Sequence, residues 1–340
     1  MSGSVTYLEA IVIGLVQGVT ELFPVSSLGH AVLIPAFIGG SWASTLDMTA
    51  NQSPYLALIV ALHVATAAAL LLFFRNDWVR VIKGLISSIS NKRIQTPYEK
   101  LAWLLIIGTI PVGLAGLILD KLLREHLGKP AWAGAFLAVN GIVLYSAERL
   151  RSGGSRSRNL QDDEDEETAG GRRGASAAMA SGGSRRKPST ATLEPPKELD
   201  RHGRELPPGI ASDVRLARLD KSTAAQIGAA QILGLFPGLS RSGATMVAGI
   251  FKGLHHEDAA RFAFLLATPV ILLAGLYKLP ELAKPENSAV VGPAIAGSLV
   301  AFVASFLSVR FLVRYFETRT LTPFAIYCFV VGLISVARFA

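Results

Sequence analysis

Two short stretches of this 340-residue chain carry side chains suited to phosphate chemistry. The first, Glu21 to His30, supplies a carboxylate, hydroxyls and an imidazole, and the second, Pro237 to Thr245, supplies a guanidinium and several hydroxyls. These are the groups that acid–base and nucleophilic attack on a phosphate require. Both stretches interrupt apolar runs at a proline, so their chemistry has to operate within an apolar part of the protein.

The first stretch places its polar groups on the two sides of a proline. Gln17 and Glu21 are four residues apart and therefore lie on one face of the helix before it. Ser26 and Ser27 follow where the next helix begins, and one of them is expected to cap that helix. His30 lies in its first turn, where free N–H groups and the helix dipole favour phosphate oxygens. We predict Glu21, Ser27 and His30 as catalytic residues. Ser26 is predicted as a phosphate ligand.

The second stretch is centred on Arg241, whose planar guanidinium can bind two phosphate oxygens at once. Glycines on either side allow the backbone to approach a ligand closely, and the hydroxyls can donate hydrogen bonds. An arginine within an apolar run needs an anion, which is either the substrate or Glu21. We predict Arg241 as a catalytic residue, and as phosphate ligands Gly238, Ser240, Ser242 and Thr245.

Composition indicates an integral membrane protein with one polar insertion. Hydrophobic residues make up 51% of the chain and charged residues only 17%, and the mean hydropathy is positive. The formal net charge of +8 comes from basic residues in loops beside apolar runs. Basic residues at these places are explained by their role in orienting a membrane protein and by attraction to anionic headgroups. We expect membrane lipids and no nucleic acid as partners. No cleaved signal peptide is expected at the N-terminus.

Apolar runs near the ~20 residues that a helix needs to cross a bilayer recur along the chain. They predict six spans, at Pro54 to Phe74, Ala102 to Leu119, Ala131 to Tyr145, Ala259 to Leu279, Ala289 to Val309 and Leu321 to Phe339. Residues 5–38 and 223–254 contain the interrupted runs, which we interpret as re-entrant helix–loop–helix hairpins. His63 and Asn140, inside two spans, are interpreted as forming interhelical hydrogen bonds.

The two halves of the chain follow one plan. Each has Ile-Gly-x-x-Gln upstream of its break, at Ile13 to Gln17 and at Ile227 to Gln231, and a serine three residues after the proline. Three spans per half is an odd number, so the second half must be inverted relative to the first. The predicted fold is an all-α integral membrane protein with an inverted-topology repeat, residues 1–148 and 223–340, whose hairpin tips meet.

A polar segment, residues 149–222, separates the two repeats. Its Gly, Ser, Arg and acidic residues cannot bury a core, so we predict a disordered loop with a short surface helix near Ile210 to Leu219. The side of the membrane with this segment and the basic loops at 75–93 and 310–319 is richest in Lys and Arg, which predicts that it is cytoplasmic. Both termini and the first hairpin's entrance are then outside.

The two stretches resemble the signatures of the bacterial undecaprenyl-diphosphatase family, also known as bacitracin-resistance proteins. Its first signature, Glu/Gln-x-x-x-Glu followed by Pro-x-Ser-Ser-x-Gly-His, is complete from Gln17 to His30. Its second, Pro-Gly-x-Ser-Arg-Ser-x-x-Thr, is complete from Pro237 to Thr245. The surrounding spans are similar over nearly the whole chain, and only the insertion is longer than the family's usual connection.

The resemblance implies an enzyme that hydrolyses undecaprenyl diphosphate to undecaprenyl phosphate and inorganic phosphate. That reaction recycles the lipid carrier for cell-wall peptidoglycan and confers bacitracin resistance. It also implies a multi-pass protein of the bacterial inner (plasma) membrane with an active site open to the outer face. A divalent cation, Mg2+ or Ca2+, would be held by Glu21 and Gln17, although a glutamine at position 17 removes one of the two acids that such a site would use.

In the mechanism that this resemblance suggests, Arg241 and the metal neutralise the diphosphate. Ser27 attacks the terminal phosphorus or positions a water that does so, Glu21 acts as metal ligand or base, and His30 carries the proton. The sequence leaves the choice between serine and water open. It also leaves the oligomeric state open, with a homodimer as one candidate.

Two other functions use the same residues. A polyisoprenyl-phosphate transporter (flippase) would bind the lipid between inverted repeats without cleaving it. A lipid phosphatase of the acid-phosphatase type has a Pro-Ser-Gly-His segment similar to Ser26 to His30, but this sequence has neither that family's Lys/Arg-rich first motif nor its later His–Asp pairing at suitable places. Phosphate release from the pure protein separates hydrolysis from transport.

Overall fold

The computed structural model describes residues 4–49, 53–170, 197–200, 202–282, 284 and 287–340. Within these residues the chain is helical and has no β-strand. The helices of the first part are α1 Tyr7–Thr20, α2 Ser27–Ile38, α3 Gly40–Thr45, α4 Pro54–Phe73, α5 Arg75–Asn91, α6 Pro97–Leu127 and α7 Pro130–Gly170. Those of the second part are α8 Pro208–Leu216, α9 Lys221–Ala229, a 3-10 helix Ala230–Leu235, α10 Arg241–Phe251, α11 His256–Leu282, α12 Ser288–Thr318 and α13 Thr322–Phe339.

Six helices in the described part of the chain are long and apolar enough to cross a membrane. They are α4, α6, α7, α11, α12 and α13, and they confirm the six predicted spans. The surface of these helices carries large aliphatic side chains, such as Ile118, which is 75% exposed, and Leu299, which is 65% exposed. Such a surface requires a lipid environment, because exposing so many large aliphatic side chains to water is unfavourable. The chain is an all-α, multi-pass integral membrane protein.

Small residues bring the helices into close contact. A Cβ atom added to Gly14 of α1 would lie 2.3 Å from the carbonyl oxygen of Gly297 on α12, and one added to Gly228 of α9 would lie 2.0 Å from that of Gly108 on α6. Helices in lipid gain little from burying apolar surface, so close van der Waals packing through glycine supplies much of their association. This packing fixes α1 and α9, the helices that lead into the two breaks.

Two pairs of shorter helices contain the interrupted stretches. α1 and α2 are separated by residues 21–26, and the 3-10 helix and α10 by residues 236–240. Ser26 and Ser240 begin the second helix of each pair, because their hydroxyls accept hydrogen bonds from the N–H groups of Gly29 and Gly243, at 3.2 and 3.1 Å. The predicted cap of α2 is therefore present, and α10 has an equivalent cap at Ser240. The re-entrant path of the pairs and the inverted repeat stay predictions.

Part of the insertion differs from the predicted disorder. The helix α7 continues to Gly170, residues 171–196 lie outside the described part, and α8 occupies the place of the expected short helix. α8 is not a loose surface helix, since its Asp213 is fully buried and accepts hydrogen bonds from Arg261 on α11 at 2.7 and 3.1 Å. Arg261 also pairs with Asp77 at 2.9 Å. Composition indicated that this segment is solvated. In the structure, ion pairs with residues distant in sequence hold α8 against the other helices.

Candidate active site

Glu21 lies at the centre of the candidate site and joins the two interrupted stretches. One carboxylate oxygen accepts a hydrogen bond from the Ser27 hydroxyl and another, of 3.1 Å, from the Gln17 amide. The other oxygen accepts a hydrogen bond from the guanidinium of Arg241 on α10. Glu21 is only 8% exposed, so the charge pair is largely removed from solvent. The structure therefore unites Gln17, Glu21, Ser27 and Arg241, as the sequence analysis predicts.

Ser26 holds the turn between α1 and α2 in an unusual conformation. Its φ angle is 68°, in the left-handed region that non-glycine residues rarely adopt. Its hydroxyl accepts hydrogen bonds from Gly29 and from Gly238 of the second stretch, each 3.2 Å long. Its carbonyl oxygen accepts from the N–H and the ring of His30, at 3.2 and 2.7 Å. These bonds maintain the strained turn that directs the next residue, Ser27, towards Glu21.

Asn140 on α7 connects the two breaks. Its amide N–H donates to the carbonyl oxygen of Pro24 at 2.9 Å, and its amide oxygen accepts from the backbone N–H of Ser240 at 3.1 Å. A third link is the hydroxyl of Ser242, which donates to the carbonyl oxygen of Phe23 at 3.2 Å. The amide N–H group of Asn140 also donates to the Sγ atom of Cys328 on α13 at 3.3 Å, so the expected interhelical hydrogen bond is present in addition to the bonds to the two turns. Asn140 fixes the distance between the two halves of the site.

The two histidines near the site have different surroundings. The Nδ1 atom of His63 donates to the carbonyl oxygen of Ile59 at 2.8 Å, and its Nε2 atom lies 3.4 Å from a carboxylate oxygen of Glu21. Because both neighbours are acceptors, a doubly protonated ring can donate to both. His63 thus reaches from α4 to the carboxylate at the centre of the site, in addition to its bond within its own helix. Only its position inside a span, where polar residues are costly, signalled a role.

The ring of His30 does not bond to Ser27. Its Nδ1 atom donates to the carbonyl oxygen of Ser26, and its Nε2 atom lies 2.8 Å from the Tyr327 hydroxyl on α13. The His30 and Tyr327 rings also stack, with centroids 5.8 Å apart. In this arrangement His30 supports the Ser26 turn. Its role as proton carrier stays a prediction.

The remaining polar residues of the second stretch shape the turn that carries Arg241. Ser240 caps α10 and lies 3.1 Å from the Ser242 hydroxyl, and the Thr245 hydroxyl donates to the carbonyl oxygen of Arg241 at 2.7 Å. Gly238 packs against α7 with a φ of 109°. These contacts position Arg241 within the protein. Phosphate binding by Gly238, Ser240, Ser242 and Thr245 stays a prediction.

Gly238→Ala is expected to destabilise the protein more than the same change at Gly253. Both glycines have a positive φ, which costs an alanine roughly 1–2 kcal/mol. A Cβ atom at Gly253 would meet nothing within 4 Å, whereas one at Gly238 would lie 2.3 Å from the carbonyl oxygen of Ala133. The overlap adds about 1–3 kcal/mol. Thermal unfolding of both variants in detergent measures the difference, and equal losses would contradict this packing.

The residues around Glu21 fit a divalent cation only together with a phosphorylated substrate. In the part of the chain that the structure describes, no group of three or more His, Cys, Asp or Glu side chains is arranged to hold a metal ion. Mg2+ is commonly bound by one or two carboxylates and by substrate phosphates, with water completing its shell. The carboxylate of Glu21 and the amide oxygen of Gln17 satisfy that smaller requirement when a diphosphate supplies further oxygens.

Known proteins are similar to this chain over nearly its full length. The family model described as bacitracin resistance protein BacA matches residues 10–185 and 201–334. An undecaprenyl-diphosphatase of Mycolicibacterium paratuberculosis is 53% identical over 332 residues, which are 98% of this chain and 97% of the relative. Undecaprenyl-diphosphatase 1 of Frankia casuarinae is 48% identical over 366 residues, covering 99% of both chains. By this match over nearly its full length, the chain belongs to the bacitracin resistance protein BacA family.

Proposed function

We propose that this protein hydrolyses undecaprenyl diphosphate to undecaprenyl phosphate and inorganic phosphate. The relatives that it matches over nearly their whole length are named undecaprenyl-diphosphatase. The observation that carries the proposal is the convergence of Ser27 and Arg241 on Glu21 from separate parts of the chain. A hydroxyl, a base and a guanidinium are thereby within reach of one phosphate group. Transport of the lipid alone would not require a hydroxyl bonded to a carboxylate.

The first step is attack by the Ser27 oxygen on the terminal phosphorus. The hydroxyl already donates to Glu21, so the carboxylate takes its proton as the new O–P bond forms. The bond between the terminal phosphorus and the bridging oxygen breaks, and undecaprenyl phosphate leaves with the bonding electrons and the proton. Arg241 binds the terminal phosphate oxygens after they replace Glu21 at its guanidinium, and it stabilises their charge in the transition state.

The second step is hydrolysis of the phosphorylated serine. Water attacks the phosphorus, Glu21 accepts a proton from the water, and the Ser27 oxygen leaves and regains a proton. Glu21 passes on each proton within the step in which it accepts it, and His63, which is 3.4 Å from the carboxylate, keeps that carboxylate oriented. A bound Mg2+ or Ca2+, held by Glu21 and Gln17, would neutralise part of the diphosphate charge.

We further propose that the protein is located in the bacterial plasma membrane with its active site open to the outer face. The support is the excess of basic residues near one set of helix ends, where Arg75 follows α4 and Arg319 follows α12. By the positive-inside rule these ends are cytoplasmic. The stretch between α1 and α2 is then approached from the opposite side.

The test is phosphate release from undecaprenyl diphosphate by the purified protein in detergent. We expect release by the parent, its loss after chelation and its return with Mg2+ or Ca2+. Ser27→Ala should remove release, while Ser44→Ala, which deletes an exposed serine hydroxyl in α3, should not. Absence of release with the parent under every metal condition would reject hydrolysis.

The chemistry of the nucleophile is tested separately. After rapid acid quenching during turnover, mass spectrometry of the parent should detect a phosphate on Ser27. A fully active Ser27→Ala protein would exclude the covalent route. Loss of activity in that variant together with unphosphorylated Ser27 in the parent would instead indicate a water held by the serine.

A further inference from the structure

The helix α5, Arg75–Asn91, lies beside the ends of two membrane-spanning helices. It starts immediately after α4 ends at Phe73, and only a short loop separates its end from the first residue of α6, Pro97. Its second half packs on the first turns of α6, where the Trp103 indole donates to the Ser88 hydroxyl at 3.0 Å. Since one span ends and the next begins at α5, the helix lies at a single face of the membrane.

The surface of α5 is divided into three faces. One is buried against the protein and includes Phe74 just before the helix, Val81, Gly84 and Ser88. The second is a row of large aliphatic side chains at positions i, i+3, i+7 and i+10, each half exposed or more, namely Val79 (50%), Ile82 (51%), Ile86 (59%) and Ile89 (57%). The third is polar and consists of Asn76, Lys83, Ser87 and Ser90. We refer to the second face as the isoleucine stripe.

The isoleucine stripe needs an apolar neighbour that the described part of the chain does not supply. Four large aliphatic side chains in one row on a helix between spans are unfavourable in water. The helix cannot cross the bilayer, because Arg75, Asp77, Arg80 and Lys83 occupy its first half. A short helix with one apolar and one polar face is stable when it lies in the interface, with the apolar side in the acyl chains.

Basic residues beside the isoleucine stripe determine which lipids suit it. Arg75, Lys83, Lys92 and Arg93 are exposed, whereas the acid of α5, Asp77, is hydrogen-bonded to Arg80 and forms an ion pair with Arg261. The exposed charge of α5 and its following loop is therefore positive. Positive side chains at a membrane surface attract anionic headgroups. The same charges would repel a second copy placed symmetrically on this face.

We propose that α5 lies in the plane of the membrane surface, inserts the isoleucine stripe among the acyl chains and binds anionic phospholipid headgroups through its basic residues. The apolar neighbour of the isoleucine stripe is therefore the membrane leaflet at which α4 ends and α6 begins. The stripe continues the lipid-facing surface of those spans, on which Leu72 of α4 and Ile106 of α6 are exposed. This surface is separate from the site around Glu21 and adds a lipid contact that the hydrolytic reaction does not require.

The insertion is tested with an environment-sensitive fluorophore on single introduced cysteines of the full chain. Ile86→Cys lies in the isoleucine stripe, and Asn76→Cys, at an exposed position of the polar face, is the matched control. The native Cys328 is buried, and the labelled parent gives its background. The variants are placed in nanodiscs of phosphatidylcholine. Unchanged thermal unfolding shows that each variant is folded.

Brominated acyl chains should quench the label at Ile86 strongly and the label at Asn76 weakly, and aqueous iodide should give the opposite order. Iodide quenching at Ile86 equal to that at Asn76 would place the stripe in water and overturn the proposal. Protection of Ile86 from both quenchers would show that protein covers it, either a second copy or another part of the chain, and would also overturn it.

Headgroup preference is tested by moving the bromine between lipids. In nanodiscs that contain both phosphatidylglycerol and phosphatidylcholine, we expect brominated phosphatidylglycerol to quench the Ile86 label several-fold more per mole than brominated phosphatidylcholine. Lys83→Gln combined with Arg93→Gln should remove this difference without removing quenching itself. Equal quenching by the two lipids in the parent would overturn the binding of anionic headgroups.

Discussion

Arg241→Ala is expected to lower kcat/KM for phosphate release from undecaprenyl diphosphate by about a thousandfold, the upper range for removal of one group that stabilises transition-state charge. Arg241 is the cation that contacts Glu21 from the second interrupted stretch. Its loss removes both the phosphate ligand and the partner that holds the carboxylate. Arg241→Lys should recover only part of the activity, because an ammonium group cannot bind two oxygens in a planar fork.

The control for this prediction is Arg314→Ala. Arg314 is exposed near the end of α12, in the groove of about 430 Å³ that Arg310 and Arg319 also line. Its removal deletes an equal charge from the chain without touching the two breaks. Activity of Arg241→Ala within tenfold of the parent would contradict the placement of the guanidinium on the reacting phosphate.

Glu21→Gln is expected to reduce kcat by about a hundredfold to ten thousandfold, the range that positioned acid–base groups contribute. Glutamine has nearly the same shape, so the turn between α1 and α2 can still form. It cannot take a proton from Ser27, and it leaves the Arg241 charge unpaired in a buried place. Substrate binding should weaken less than kcat, since the diphosphate itself can neutralise Arg241.

Glu99→Gln provides the matched control. Glu99 is 4% exposed and accepts hydrogen bonds from Ser87 and from the backbone of Gln95 and Thr96, so its substitution also disturbs a buried carboxylate. We expect a lower unfolding temperature with nearly unchanged kcat per folded molecule. If Glu21→Gln behaved in the same way, with a loss of stability only, Glu21 would be a structural partner of Arg241 and not the base.

The separation of Ser26 and Ser27 shows what the linear sequence leaves open. The sequence places two hydroxyls where a helix begins, and either can serve as the cap. In the structure Ser26 caps α2 and bonds to Gly238, while Ser27 bonds to Glu21. The positive φ of Ser26 turns the two hydroxyls in different directions, and that φ is maintained by a residue of the second stretch.

The sequence also leaves open what His63 and Tyr327 contact. Neither belongs to an interrupted stretch, and each lies in a span where its neighbours are apolar. Contact with Glu21 or His30 depends on how α4 and α13 pack, which is a property of the assembled bundle. The helix α8 has the same explanation, because its Asp213 and Arg215 pair with Arg261 and Asp258 of α11.

The sequence by itself determined the six spans, the two proline breaks and the reactive residue types, because each depends on a pattern within about 20 consecutive residues. It also predicted correctly that Glu21 and Arg241 come together, since a buried carboxylate and a buried guanidinium each need a counterion. Only the tertiary structure decided which hydroxyl faces the acid, which imidazole lies beside it, and that Asn140 joins the two turns. Those choices depend on distances of a few ångströms between helices, which the packing of small residues sets and local sequence does not encode.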